Sequence, residues 1–197
     1  LVMPALYAMR AKRYMHEYGL TEDQLAMVSV KARRHGKLNP DAQFREETTI
    51  EAVRQSRPVA DPLHLFHCCP SGDGAAAVVI CSAEKARQVS SDPIRVAGSE
   101  INSGKYMTGY RDMTTPEITV RGAKQLYEES GIGPEDVDLA EVHDAFAIAE
   151  LLYYEALGFC AKGEAARLLE DGETSVGGRI PVNPSGGLLS KGHPIGA

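Results

Sequence analysis

The chain has 197 residues, of which 43% are hydrophobic, and a formal net charge of 21 − 27 = −6. This size fits one domain of ordinary proportions or two small ones, and the apolar share excludes wholesale disorder. The negative charge argues against a general nucleic-acid binder, no apolar run approaches the roughly 20 residues that span a bilayer, and four cysteines are too few for a disulfide scaffold. A reducing cytosol is the simplest compartment, and the charged, amphipathic stretch from Leu1 to Arg10 does not read as a signal peptide.

In chain order, Pro4 suits the first turn of a helix and Gly19 its end, with Leu6, Met9, Arg10, Arg13 and Tyr14 at helical spacing between them. Thr21-x-x-Gln24 is a capping-box pattern, and it opens a helix through Leu25, Val28 and Ala32 to Gly36. Asn39-Pro40 makes a turn, and Thr49 caps a third helix through Val53. Residues 57–66 hold Pro58 and Pro62 and read as a connection with room for a short strand. Asp73-Gly74 is turn chemistry, and the run Ala75 to Cys81 reads as a buried strand covered on both faces. Ser82 caps a helix over Glu84 to Gln88, and Ile94 to Val96 starts another strand. Thr115-Pro116 opens an amphipathic helix that Gly131 closes. Val137 to Val142 reads as a strand, Asp144 as the cap of a helix over Ala145 to Leu157, Glu164 to Leu169 as a short helix, and Ile180 to Val182 as a strand. Alternation of strands and helices from residue 73 predicts an α/β fold: a mostly parallel mixed sheet with helices on both faces, and a separate helical subdomain over the first 56 residues.

Charge divides unevenly. Residues 1–100 carry 13 Lys/Arg against 12 Asp/Glu, and residues 101–197 carry 8 against 15. Within the first part, Arg10, Lys12, Arg13, Lys31, Arg33, Arg34 and Lys37 form a basic zone. It reads either as a receptor for an anionic ligand or as the solvated face of two helices.

Two segments carry candidate chemistry. The first is the stretch from Asn183 to Ala197, where Pro184, Gly186, Gly187, Gly192 and Pro194 fix an irregular backbone around His193. A His held in such a loop after a strand is placed as a general base, or else ties backbone groups together. The second is Val142-His143-Asp144-Ala145-Phe146, at the carboxyl end of a strand where α/β sheets place their ligands. There His143 is placed to hold a developing oxyanion, or serves as a structural residue. His64-x-x-His67-Cys68-Cys69 resembles a metal-ligand cluster, but no second pair at ligand spacing accompanies it, and packed thiols are the simpler reading. Cys81 inside its apolar strand is expected to be inert, and the Tyr106 to Tyr110 stretch and Tyr153-Tyr154 to pack.

These residues resemble a family. Asn183-Pro-Ser-Gly-Gly followed by Gly192-His193-Pro194-Ile195-Gly196-Ala197 is similar to the thiolase signature. His143-Asp144-Ala145-Phe146 stands where most thiolases carry Asn-Glu-Ala-Phe, a form similar to the sterol-carrier-protein-type and archaeal branch. Asp73-Gly74-Ala75-Ala76-Ala77 matches the start of the last strand of the first thiolase half. The resemblance implies acyl transfer on coenzyme A thioesters with no covalently bound cofactor and no metal. It assigns His193 as the base and His143 to an oxyanion hole, and gives Asn183, Gly186, Gly187, Gly192 and Pro194 to substrate binding. Residues 1–70 would belong to the helical loop subdomain that contacts coenzyme A, 71–90 would end the first half, and 91–197 would form most of the second. A homodimer or higher homo-oligomer is implied. The family's nucleophilic Cys and its later Cys-x-Gly motif match none of the four cysteines, so the chain is expected to be a segment of a longer enzyme and inactive alone. Two alternatives stay open: a carbon–carbon lyase working with a small OB-fold partner, and a non-catalytic acyl-CoA-binding or assembly subunit.

Overall fold

The computed structural model describes residues 2–105 and 111–194. The expectations for Tyr106 to Tyr110 and for Ile195-Gly196-Ala197 lie outside the described residues.

The opening helices form where their local signals predict. Helix α1 (Met3–Tyr18) has proline in its first turn, and Gly19 closes it in the left-handed region at φ 73°. Helix α2 (Glu22–Leu38) begins at a complete capping box: the Gln24 amide donates to Thr21 Oγ1 at 3.2 Å, and Gln24 Oε1 accepts from the Thr21 amide at 2.9 Å. Thr49 caps α3 (Ile50–Gln55). Strands β1 (Pro58–Ala60) and β2 (Leu63–His64) make a small antiparallel hairpin, followed by a 3-10 turn over Leu65–His67 and by β3 (Ser71–Gly72). Then come α4 (Ala83–Val89), capped by Ser82, and α5 (Glu117–Ser130), closed by Gly131. Helices α6 (Ala147–Ala156), α7 (Ala165–Glu170) and α8 (Gly187–Lys191) precede β4 (His193–Pro194), which pairs in parallel with β3.

The core gathers around α6. Ile148, Leu151, Leu152 and Tyr154 are buried on it, and Leu25, Val28 and Ala32 of α2 join them with Leu63, Ile180 and Val182 in one apolar cluster. A helix apolar on nearly every side is an interior helix, so other elements pack around α6. Helix α2 contacts α6, α7 and α8, and α1 lies on α6, where the Tyr7 ring stacks on Phe146 at 4.6 Å between centroids.

Several expectations are corrected. Residues 75–81 form no strand, and Val78, Val79 and Ile80 are 84%, 97% and 77% exposed. A buried parallel strand needs neighbours on both sides, and none lies beside this run among the described residues. Cys81 is therefore exposed rather than interior. Residues 94–96 are likewise irregular and exposed, and the predicted strands over 137–142 and 180–182 meet only at one parallel bridge, Ala140 with Val182. Asp144 does not cap α6. The helix starts at Ala147 behind Phe146, and the Asp144 carboxyl accepts from the Leu188 amide instead.

Candidate active site

The segment 140–144 and the glycine-rich segment 183–188 are laced together residue by residue. The Asn183 amide donates to the Ala140 carbonyl at 2.7 Å, and Asn183 Oδ1 accepts from the Val142 amide at 2.7 Å. The Glu141 carboxylate accepts from the Ser185 amide at 2.9 Å and from its hydroxyl at 2.8 Å. Asp144 Oδ1 accepts from the Leu188 amide at 2.6 Å. Asn183 itself sits at φ 54°, which Asn tolerates better than most residues.

From this seam α8 runs to Gly192, where the chain turns into β4. The Gln43 amide donates to the Lys191 carbonyl and the Phe44 amide to the Ser190 carbonyl. The His193 amide donates to the Pro70 carbonyl at 3.0 Å. On the other side the Cys69 amide donates to Ala145 at 3.0 Å. The segment 68–72 thus bridges the two His-bearing stretches.

The result is that His143 and His193 face each other. Their ring centroids are 4.9 Å apart and the rings stand edge to face at 85°. His143 is open to solvent, whereas His193 is half-buried with Nδ1 enclosed and without a hydrogen-bond partner. Partial burial, and then the neighbouring His193, push the His143 pKa below its ordinary value. At neutral pH His143 is an uncharged imidazole, which keeps one N–H to donate.

The other expected substrate residues lie along the seam and on either side of His193. The Asn183 side chain is fully enclosed and occupied: besides Val142, it donates from Nδ2 to Glu150 Oε2 at 2.9 Å. Its effect on the site is therefore to brace it. Gly186 (φ 100°) lies against α2, where a Cβ would sit 2.8 Å from the Gly36 Cα. Gly187 lies against the Asp144 carboxyl, and Gly192 against Gln43, 2.7 Å from a Cβ there. Pro194 is half-buried in β4.

Sequence reading missed a buried polar cluster below the seam. Lys31 (4% exposed) pairs with Glu150 (0%) at 2.7 Å and donates to the Val182 carbonyl at 2.7 Å. The Tyr154 hydroxyl donates to Glu150, and burial pushes its pKa far up. The Val176 amide donates to His35 Nε2, so His35 Nδ1 carries the proton and donates to the Asn183 carbonyl at 2.9 Å. The signal was present: Lys31 and His35 share the face of Val28, and Glu150 interrupts an apolar run. Lys31 therefore leaves the basic zone. Of the rest, Lys12 pairs with Asp61, Arg13 with Glu17 and Lys37 with Glu47, and Arg33 lies over the Phe44 ring at 3.9 Å.

His64 and His67 form no metal cluster among the described residues. The His64 amide donates to His67 Nδ1 at 2.9 Å inside the 3-10 turn. Burial raises the thiol pKa of Cys68 to about 11 and of Cys160 to about 12, and also raises that of Cys69, so these three are poor nucleophiles.

The thiolase C-terminal domain-like family matches residues 99–197. The chain belongs to the thiolase family. It is 57% identical over its whole length to the benzoylsuccinyl-CoA thiolase subunit BbsB of Thauera aromatica, covering 51% of that protein. It is 48% identical to an acetyl-CoA acetyltransferase of Methanothermobacter thermautotrophicus, again over the whole chain and 52% of the relative. The rat sterol carrier protein 2 is 38% identical over 98% of the chain and 37% of its own length. Among solved structures, the Ltp2-ChsH2(DUF35) aldolase superposes with a TM-score of 0.89 at 38% identity, over 95% of this chain and 51% of the other. The α/β thiolase-like fold is thus the fold of this chain, which spans about half the length of the thiolases it matches. No helix among the described residues is long and apolar enough to cross a membrane.

Proposed function

We propose that this chain forms part of a thiolase-type acyltransferase that condenses or cleaves acyl-CoA thioesters. The observation that carries this reading is the meeting of His143 and His193, edge to face at 4.9 Å, across a braced glycine-rich seam. In the reaction, His193 takes the proton from a cysteine thiol, and the thiolate attacks the thioester carbonyl. Charge gathers on the carbonyl oxygen, where the N–H of neutral His143 stabilises it. Collapse then expels the coenzyme A thiolate and leaves the acyl group on the cysteine. That cysteine is not one of the four here, since three are held as thiols by burial and none of the four matches the family's nucleophile motif. We place it in the remainder of the protein, together with the cover for the exposed apolar residues Val78, Val79 and Ile80. Residues 1–70 then belong to the loop subdomain, 71–90 close the first half and 91–197 make most of the second. Gly192 and Pro194 border the substrate, the assembly is homo-oligomeric, and the compartment is the cytosol.

Replacing His193 with Ala in the intact enzyme should abolish acyl-enzyme formation from acetyl-CoA, read by intact mass. Normal acylation of that variant would refute the assignment.

The likeness to an aldolase complex favours a second reading, carbon–carbon cleavage of an acyl-CoA with a small OB-fold partner. Acyl-enzyme accumulation separates the two, because only the transferase forms one.

A further inference from the structure

One buried group is used by neither His and lies between them in the architecture. Asp144 is 0% exposed and follows His143 directly. Its Oδ1 accepts from the Leu188 amide, the second residue of α8, whose far end leads to His193. Its Oδ2 is enclosed, makes no hydrogen bond and lies against Gly187, where any Cβ would collide with the carboxyl group. We propose that Asp144 is a positioning residue, whose hydrogen bond to Leu188 clamps α8 to the segment carrying His143 and so sets the distance between the His143 and His193 rings.

Two further facts support the clamp. The remaining ties across the seam, at Asn183 and Ser185, lie before α8, and the bonds from Gln43 and Phe44 hold α8 to residues 43–44 rather than to the His143 segment; Asp144 is the tie between that segment and the helix. Burial, with Glu150 adding to it, also lifts the Asp144 pKa to about 7. Lys31, the buried ammonium nearby, pairs with Glu150 and makes no ion pair with Asp144, so burial favours the uncharged form of Asp144 up to about pH 7. An uncharged carboxyl still accepts from an amide, and it sets no fixed negative charge beside a forming oxyanion. Asn in its place keeps the acceptor, and Ala removes it.

The kinetic half of the test rests on the acyltransferase reading, so it is paired with hydrogen exchange, which does not. In the intact enzyme, Asp144→Ala should speed amide exchange across 186–193 on the order of 10-fold or more. It should lower kcat for acyl transfer by a similar factor while the KM for acetyl-CoA stays within about 3-fold. Asp144→Asn should match the wild type in both. Should Asp144→Ala fail to fold, Gly187→Ala pushes the same clamp from the other side and should show the same pattern. Unchanged exchange in Asp144→Ala, or in Gly187→Ala where that stands in, would overturn the clamp, as would equal damage from Asn and Ala. A wild-type enzyme without acyl transfer would sink the functional reading and leave the exchange result to judge the clamp.

Discussion

Two buried histidines make stability depend on pH in a stated direction. His67 is 2% exposed, and burial, followed by His64, holds its pKa at about 4. Burial also lowers the pKa of His35. In the unfolded chain each takes a proton near its ordinary pKa, about 6.5. Between that pH and 4 the unfolded state binds more protons at His67, so stability falls as the pH drops through the window, by at most about 3 kcal/mol. Asp144 acts in the opposite sense: the native state holds its proton up to about pH 7, so its contribution falls as the pH rises from the ordinary carboxyl range. Comparison with a variant isolates His67. The difference in urea midpoint between wild type and His67→Asn should shrink from pH 7.5 to pH 5. An equal difference at both pH values would show that His67 takes its proton alike in both states.

At the level of elements, α2 and α6 are joined by the buried pair Lys31–Glu150. Removing only Lys31 strands a carboxylate with no exposure, so Lys31→Met should cost about 3–5 kcal/mol in chemical denaturation. The double variant Lys31→Met/Glu150→Gln should cost clearly less, since no charge is left behind. A loss under about 1 kcal/mol from Lys31→Met would deny that the pair is a buried ionic contact. The helices around this pair were legible because their signals are local. Thr21 and Gln24, Thr49, Ser82, Gly19 and Gly131 each satisfy backbone groups within one turn of their own helix. The strands were less legible because ladders depend on neighbours from elsewhere. Ala75 to Cys81 has a strand's composition and lacks a partner among the described residues. Asp144 was misread for a related reason: two residues too early to cap α6, it bonds instead to an amide far along the chain.

For the molecule as a whole, the motif around His193 and the one around His143 were both readable, and their meeting was not. It depends on non-local ties: Asn183 to Ala140 and Val142, Asp144 to Leu188, His193 to Pro70, and Cys69 to Ala145. The glycines were read as substrate contacts, and the structure adds a second reason for them: Gly186 and Gly187 let the seam press against α2 and Asp144 with no room for a side chain. The central claim is that the two imidazoles act as one unit in acyl transfer. A double-mutant cycle of His143→Ala and His193→Ala on kcat for acyl-enzyme formation in the intact enzyme tests it most directly. Groups acting on one transition state are not additive, so each single variant should lose roughly 100-fold or more, and the double should be little worse than the worse single. Losses that multiply in full would show two independent residues that happen to lie 4.9 Å apart, and would contradict the account.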